Sequence, residues 1–288
     1  MNLNDKALLV QLSISAWTAR KYDKRVTTEA NTRFYASSDA GRYNKALLPA
    51  SDILADVNKK ATAIRSKFYH NTLPWNYADG AALLPTANYL GFMTEFRNEK
   101  SDWERLVEKF IAAYPDLVED ARYTLGQMFN IDDYPSVHDI RRRFNIDLAV
   151  SPVPTSDFRV DVTNEEMAVI QRDVEERVHK AQAAAMREVW DRLHKRVAHM
   201  ADRLSDDPTD GPKEYRQSTV DTVRDACEML KVLNFASDPD LEAMRQEVET
   251  KLTQYDAADY RDDALLRQAT AKQANEIMDR MSVFMNGL

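Results

Sequence analysis

The chain has a single cysteine, Cys227, among 288 residues. That excludes an internal disulfide framework and every multi-cysteine metal motif, and it leaves a helix-core side chain in a reducing compartment as the expected role. Glycine is nearly as scarce, at six. So few argue against the Gly-rich phosphate loops of nucleotide-binding α/β folds and against a turn-rich β-sandwich. No apolar run approaches the roughly 18 residues that a bilayer-spanning helix needs. The opening Met1-Asn2-Leu3-Asn4-Asp5 lacks the basic region and apolar core of a signal peptide, so a cytoplasmic location is expected. Also missing are a Ser-centred nucleophile elbow, a phosphate loop ending in Gly-Lys-Ser and a paired His-Asp motif. No catalytic residue is assigned, and a non-enzymatic role is expected.

The histidines offer no ligand set. His194 and His199 are five residues apart, which turns them about 140° around a helix, whereas shared ligation wants a three- or four-residue spacing. His70, His138 and His179 lie elsewhere, so neither a metal nor a cofactor is expected. Adjacent acids such as Glu165-Glu166 and Glu175-Glu176 read as solvated charges, with helical partners in Asp173–Arg177 and Glu176–Lys180. The formal charge of -8 resides in residues 205–288, where 18 acids face 10 bases, so residues 1–204 are neutral.

What is present is a helical protein with one strong strand signal. Ala7-Leu8-Leu9-Val10-Gln11-Leu12-Ser13-Ile14-Ser15 alternates and predicts an opening strand. Ser37-Ser38-Asp39-Ala40-Gly41 reads as a loop. Ser51 is a candidate N-cap for a helix whose Leu54, Val57, Ala61, Ile64 and Phe68 share a face and which ends before Pro74. The stretch from Leu73 to Pro85 reads as an ordered loop. A long helix from about Thr86 would carry Tyr89, Leu90, Met93, Phe96, Trp103, Leu106, Val107 and Phe110 inward, with Pro115 starting the next helix. Residues 144–150 and 158–162 alternate as strands, and the first can pair with the opening strand.

Thr163 with Glu166 matches a capping box. From Met167 to Leu204, eleven apolar positions recur with a mean step of 3.7 residues, on a helix that would be about 60 Å long at 1.5 Å per residue. Ser205-Asp206-Asp207-Pro208-Thr209-Asp210-Gly211-Pro212 breaks it, and three helices follow, near 213–234, 239–254 and 257–285. The expected fold is α+β, mostly α: a small antiparallel sheet covered by helices, plus a long-helix bundle. The expected domains are 1–162 and 163–288.

One segment has the composition of a binding surface. Residues 20–45 hold seven bases against three acids, net +4, interleaved with Tyr22, Phe34, Tyr35 and Tyr43. Aromatic rings stacked on unpaired bases, with Arg and Lys on phosphates, hold single strands without reading sequence. The candidate residues are Arg20, Lys21, Arg25, Arg33, Tyr35, Arg42 and Tyr43, with core packing of the aromatic rings as the alternative. The long helix and the weakly apolar last helix point instead to self-association or a protein partner.

Ser13-Ile14-Ser15-Ala16-Trp17-Thr18-Ala19-Arg20-Lys21, following an apolar strand, resembles the opening of an uncharacterised, largely bacteriophage-borne family, a domain of unknown function. The order of Phe68, the run from Trp103 to Pro115, and Arg143-Phe144 to Pro154 is similar to that family's later landmarks. The resemblance spans residues 7–154. Genes of such members look like neighbours of MoxR-type AAA+ ATPases and of phage replication and recombination functions. The resemblance therefore implies an assembly or adaptor component in viral DNA metabolism, working in the cytoplasm of an infected bacterial host, with an AAA+ ATPase as partner. The family carries no catalytic residues to transfer. The polar insert between Lys21 and Leu47 departs from its pattern, which puts the basic and aromatic cluster outside what the resemblance covers.

Overall fold

The computed structural model describes residues 3–49, 51–76, 80–155, 164–205 and 215–287. The fold is α+β and mostly helical, with a small sheet of antiparallel strands and several long helices. The chain divides into two compact units that alternate along the sequence. Met1–Gln11, Tyr69–Met93 and Ala149–Leu288 form the first, Leu12–Phe68 and Thr94–Leu148 the second. The boundary expected at 162/163 and the strand expected over 158–162 lie outside the described residues, as does most of the break expected over 205–212.

In the first unit, β1 (Ala7–Ser15) pairs antiparallel with β5 (Ala81–Pro85), Leu9 opposite Leu83 and Gln11 opposite Ala81. Strand β5 pairs on its other side with β4 (Leu73–Asn76). The sheet order is β4-β5-β1-β6, with β6 at Asn145–Pro152, so the strand expected near 144–150 does lie beside the opening strand. The loop expected from Leu73 to Pro85 is instead a pair of strands. Strand β5 is central and buried along residues 82–85, so it shows a continuous apolar run instead of alternation. Pro74 sits in the edge strand β4, where a missing N–H is tolerated.

Helix α5 (Asn164–Leu204) packs along α6 (Gln217–Leu233) and α9 (Ala264–Gly287), with α7 (Pro239–Leu252) and α8 (Ala257–Asp262) completing the bundle. Its buried stripe of Ala185, Val189, Leu193, Val197, Met200 and Leu204 is the core of the unit, and Trp190 stacks on Phe284 at 5.2 Å. The single helix expected over 257–285 is two. Asp263 is extended and its Oδ1 accepts from the Leu266 N–H at 2.9 Å, which caps α9 afresh.

Arg192 of α5 ties down a helix end. Its guanidinium donates to the carbonyls of Tyr69, His70 and Thr72 at 3.1, 3.0 and 2.8 Å, and to Glu188 at 2.9 Å. These carbonyls stand at the C-terminal end of α2 (Asp52–Asn71) and just beyond it. Arg192→Ala should lower the unfolding free energy by about 2 kcal/mol, read from urea melts. Arg192→Lys should recover little, because an ammonium cannot span three carbonyls as a planar fork does.

In the second unit, Trp17, Phe110, Tyr114 and Phe144 form an aromatic core, Trp17 meeting Tyr114 edge-on at 5.8 Å and Phe110 meeting Phe144 at 5.5 Å. Helix α3 (Tyr89–Leu125) contributes Phe110 and Tyr114 and continues through Pro115, so the expected helix start there is corrected. An interior proline costs about 3 kcal/mol. Here buried side chains flank it, Phe110, Ile111 and Tyr114 before and Ala121 after, and the Tyr114 hydroxyl donates to the Pro135 carbonyl at 2.9 Å. Leu90, expected inward, is 77% exposed. Lys60 bridges α2 to Glu99 and Asp102 of α3, and Lys67 does the same to Glu95 and Glu99. The short helix α4 (Val137–Arg141) ends at the arginine run, whose cations suit a helix C-terminus.

Candidate nucleic-acid interface

The basic and aromatic segment is more ordered than its polar composition implies. Strand β2 (Arg20–Tyr22) pairs with β3 (Asn44–Ala46), Lys21 opposite Lys45, and α1 (Lys24–Arg33) lies between them in sequence. Helix α1 escapes periodicity because it buries only Thr27. Its start is fixed by polar groups: Asp23 Oδ1 accepts from the Val26 N–H at 3.0 Å, and the Thr27 hydroxyl donates to the Asp23 carbonyl at 2.7 Å while accepting from the Tyr43 N–H at 3.0 Å. Asn31 Nδ2 donates to the carbonyls of Ser38 and Gly41, folding the connection of residues 34–43 back onto the helix.

Beneath this layer is a charge network. The Lys45 ammonium, 6% exposed, meets Asp133 at 2.6 Å and Asp23 at 3.4 Å, and donates to the Met128 carbonyl at 2.8 Å. Three acceptors match its three protons. Asp133, also 6% exposed, takes Lys21 on its other oxygen at 2.7 Å. Burial pushes the Asp133 carboxyl up, but the hydrogen bonds from Lys21 and Lys45 outweigh it and hold the group below its ordinary range. The Asp23 carboxyl is also lowered, chiefly by the Val26 N–H and then, against desolvation, by Lys45. Two lysines and two aspartates cancel. The rest of residues 20–45 then holds five bases, Arg20, Lys24, Arg25, Arg33 and Arg42, against Glu29 and Asp39, net +3.

The candidate residues therefore separate. Lys21 is spent on Asp133. Arg25 donates to the Gln127 carbonyl at 2.9 Å, and the Tyr43 hydroxyl lies 3.7 Å from Met128 Sδ. Arg42 stands 5.8 Å over the ring of Tyr22, itself 46% exposed. Arg20, Arg33 and Arg42 are exposed and make no ion pair among the described residues. Tyr35 is 98% exposed and Phe34, which sequence reasoning left out of the site, is 78% exposed. The signal for Phe34 was its place beside Tyr35 in a segment with no apolar periodicity to absorb it.

Tyr35 is also conformationally unusual. Helix α1 closes with the Ala36 N–H donating to the Asn31 carbonyl at 2.8 Å and the Tyr35 N–H to the Thr32 carbonyl at 3.1 Å. That pair of bonds puts Tyr35 at the left-handed position which ordinarily takes glycine, and its φ is 51°. A side chain there costs on the order of 1 kcal/mol. Neither backbone preference nor packing accounts for a fully exposed ring at such a position.

Other features of the molecule lack this convergence. Cys227 is buried, and burial pushes its thiol up to about 12. A shallow groove between α7 and α9, about 370 Å³, has its central charges matched, Glu247 accepting from Arg280 at 2.6 Å and from Lys251 at 2.7 Å. Among the described residues no three of His, Cys, Asp and Glu are grouped to hold a metal, and no helix is long and apolar enough to cross a membrane. No family model, curated protein or solved structure matches the chain.

Proposed function

We propose that this protein binds single-stranded nucleic acid through the exposed face of residues 20–43, with Tyr22, Phe34, Tyr35 and Tyr43 offering rings to bases and Arg20, Arg33 and Arg42 meeting phosphates. The observation that carries this is Tyr35, an almost fully exposed ring held at a position suited to glycine. Strain of that kind persists where the side chain is used. Rings and arginines on one ordered segment suit sequence-tolerant stacking on unpaired bases, whereas stacked duplex bases are closed to it.

Tyr35→Gly separates the two contributions. It should stabilise the fold by about 1 kcal/mol, by relieving the left-handed strain, while weakening oligonucleotide binding about tenfold or more, since stacking is worth about 1–3 kcal/mol per base. Fluorescence anisotropy with a labelled oligo-dT, beside a thermal melt, reads both. A variant more stable and equally tight in binding would leave Tyr35 without this role.

A second reading makes the protein a non-enzymatic phage component that assembles with itself or serves an AAA+ ATPase in viral DNA metabolism. It is supported by the resemblance of residues 7–154 and by one feature of the first unit: α5 runs for 17 residues, 164–180, before its first buried side chain, Ala181, and its apolar stripe starts among them at Met167. Copurification and light-scattering mass test it, and a strict monomer with no partner would sink it.

A further inference from the structure

The first 17 residues of α5, 164–180, bury no side chain, whereas ten of the following 24 are buried. They span about 25 Å of helix. A helix of that length is marginal in water unless its apolar face is packed. Such a face exists: Met167, Ile170, Val174 and Val178 recur at three and four residues, with Ile170 37% exposed and Met167 and Val174 only half-buried. Val178 touches the edge of the unit's core, so the other three continue a seam that the core itself has left.

The charges along this stretch select what covers it. Residues 164–171 hold Glu165 and Glu166 and no base, net -2, residues 177–184 hold Arg177 and Lys180 and no acid, net +2, and between them Arg172 stands with Asp173, Glu175 and Glu176. A parallel copy would set acid on acid and base on base. An antiparallel copy sets each acidic end against the other's basic end, twice over by symmetry. With Val174 near the two-fold axis, Ile170 of each copy falls opposite Val178 of the other, and Met167 falls toward Ala181. We infer that residues 164–180 are the interface of an antiparallel homodimer, its partner a second copy of this chain. This deepens the assembly reading by naming the partner, and it is independent of nucleic-acid binding.

The full chain, followed by sedimentation velocity from 1 to 100 µM, should move toward twice the chain mass. Ile170→Glu with Val174→Glu should weaken association at least tenfold while circular dichroism stays unchanged. For orientation, Val174→Cys should give an oxidised crosslinked dimer in high yield, and Met167→Cys should not, because only a parallel pair brings two copies of residue 167 together. Buried Cys227 is the control for background crosslinking. A monomer throughout overturns the inference, as does efficient crosslinking through residue 167. A dimer indifferent to the two glutamates would overturn this face while leaving the assembly reading intact.

Discussion

Lys45→Met should destabilise the protein by about 3–5 kcal/mol, the range for removing one member of a buried ion pair. The ammonium serves Asp133, Asp23 and the Met128 carbonyl together. Taking it away strands Asp133, 6% exposed, with Lys21 alone, and loosens the aspartate that caps α1. The loss comes from the carboxylates left behind more than from the attraction removed. Lys45→Met with Asp133→Asn should accordingly recover about half the deficit or more, because the amide carries no charge to solvate.

The pH dependence follows from the same groups. Both carboxyls titrate below their ordinary value when folded. The stability they confer is complete above their unfolded pKa near 3.9 and is lost as pH falls through the lowered folded values. In Lys45→Met protonation relieves the buried charge, so the gap between variant and wild type should narrow from pH 7 to pH 4 in urea melts. A constant gap would mean that the changed packing of the thioether chain, and not the charge, sets the cost.

The same network marks where sequence reading stops. Net charge counts Lys21 and Lys45 as surface, yet Asp133 lies more than 80 residues from Lys45, and no local pattern announces that pairing. Elements with a periodic apolar face were legible: β1, most of α2, and α5 with its stripe. Those fixed by polar contacts were not, α1 above all, since one buried threonine leaves no period to detect. Strands β4 and β5 were hidden for another reason: both runs are short, and β5 is too uniformly buried to alternate. The division into units was equally illegible, because it falls inside β1, α2, α3 and β6, where the sequence carries no break. At the candidate site, the residue types were visible, but their separation into a buried neutral network and an exposed face depends on the fold.

Salt dependence should decide whether that exposed face meets phosphates. If Arg20, Arg33 and Arg42 each neutralise one, the slope of log affinity against log salt should be about -2.1, at roughly 0.7 per contact on a single strand. Raising salt from 50 to 200 mM would then weaken binding about eighteen-fold. Arg33→Ala with Arg42→Ala should cut the slope to about -0.7, and the same salt change would cost only about threefold. Tyr35→Ala should lower affinity at every salt concentration and leave the slope unchanged, since stacking releases no counterions. The two effects are orthogonal, so anisotropy titrations at four salt concentrations distinguish a phosphate grip from a stacking platform. Removing Arg42 also frees the Tyr22 ring, 5.8 Å beneath it, so part of the lost charge contact returns as stacking surface. Arg42→Ala should thus lower the slope by as much as Arg33→Ala while costing less affinity at high salt, where only stacking remains.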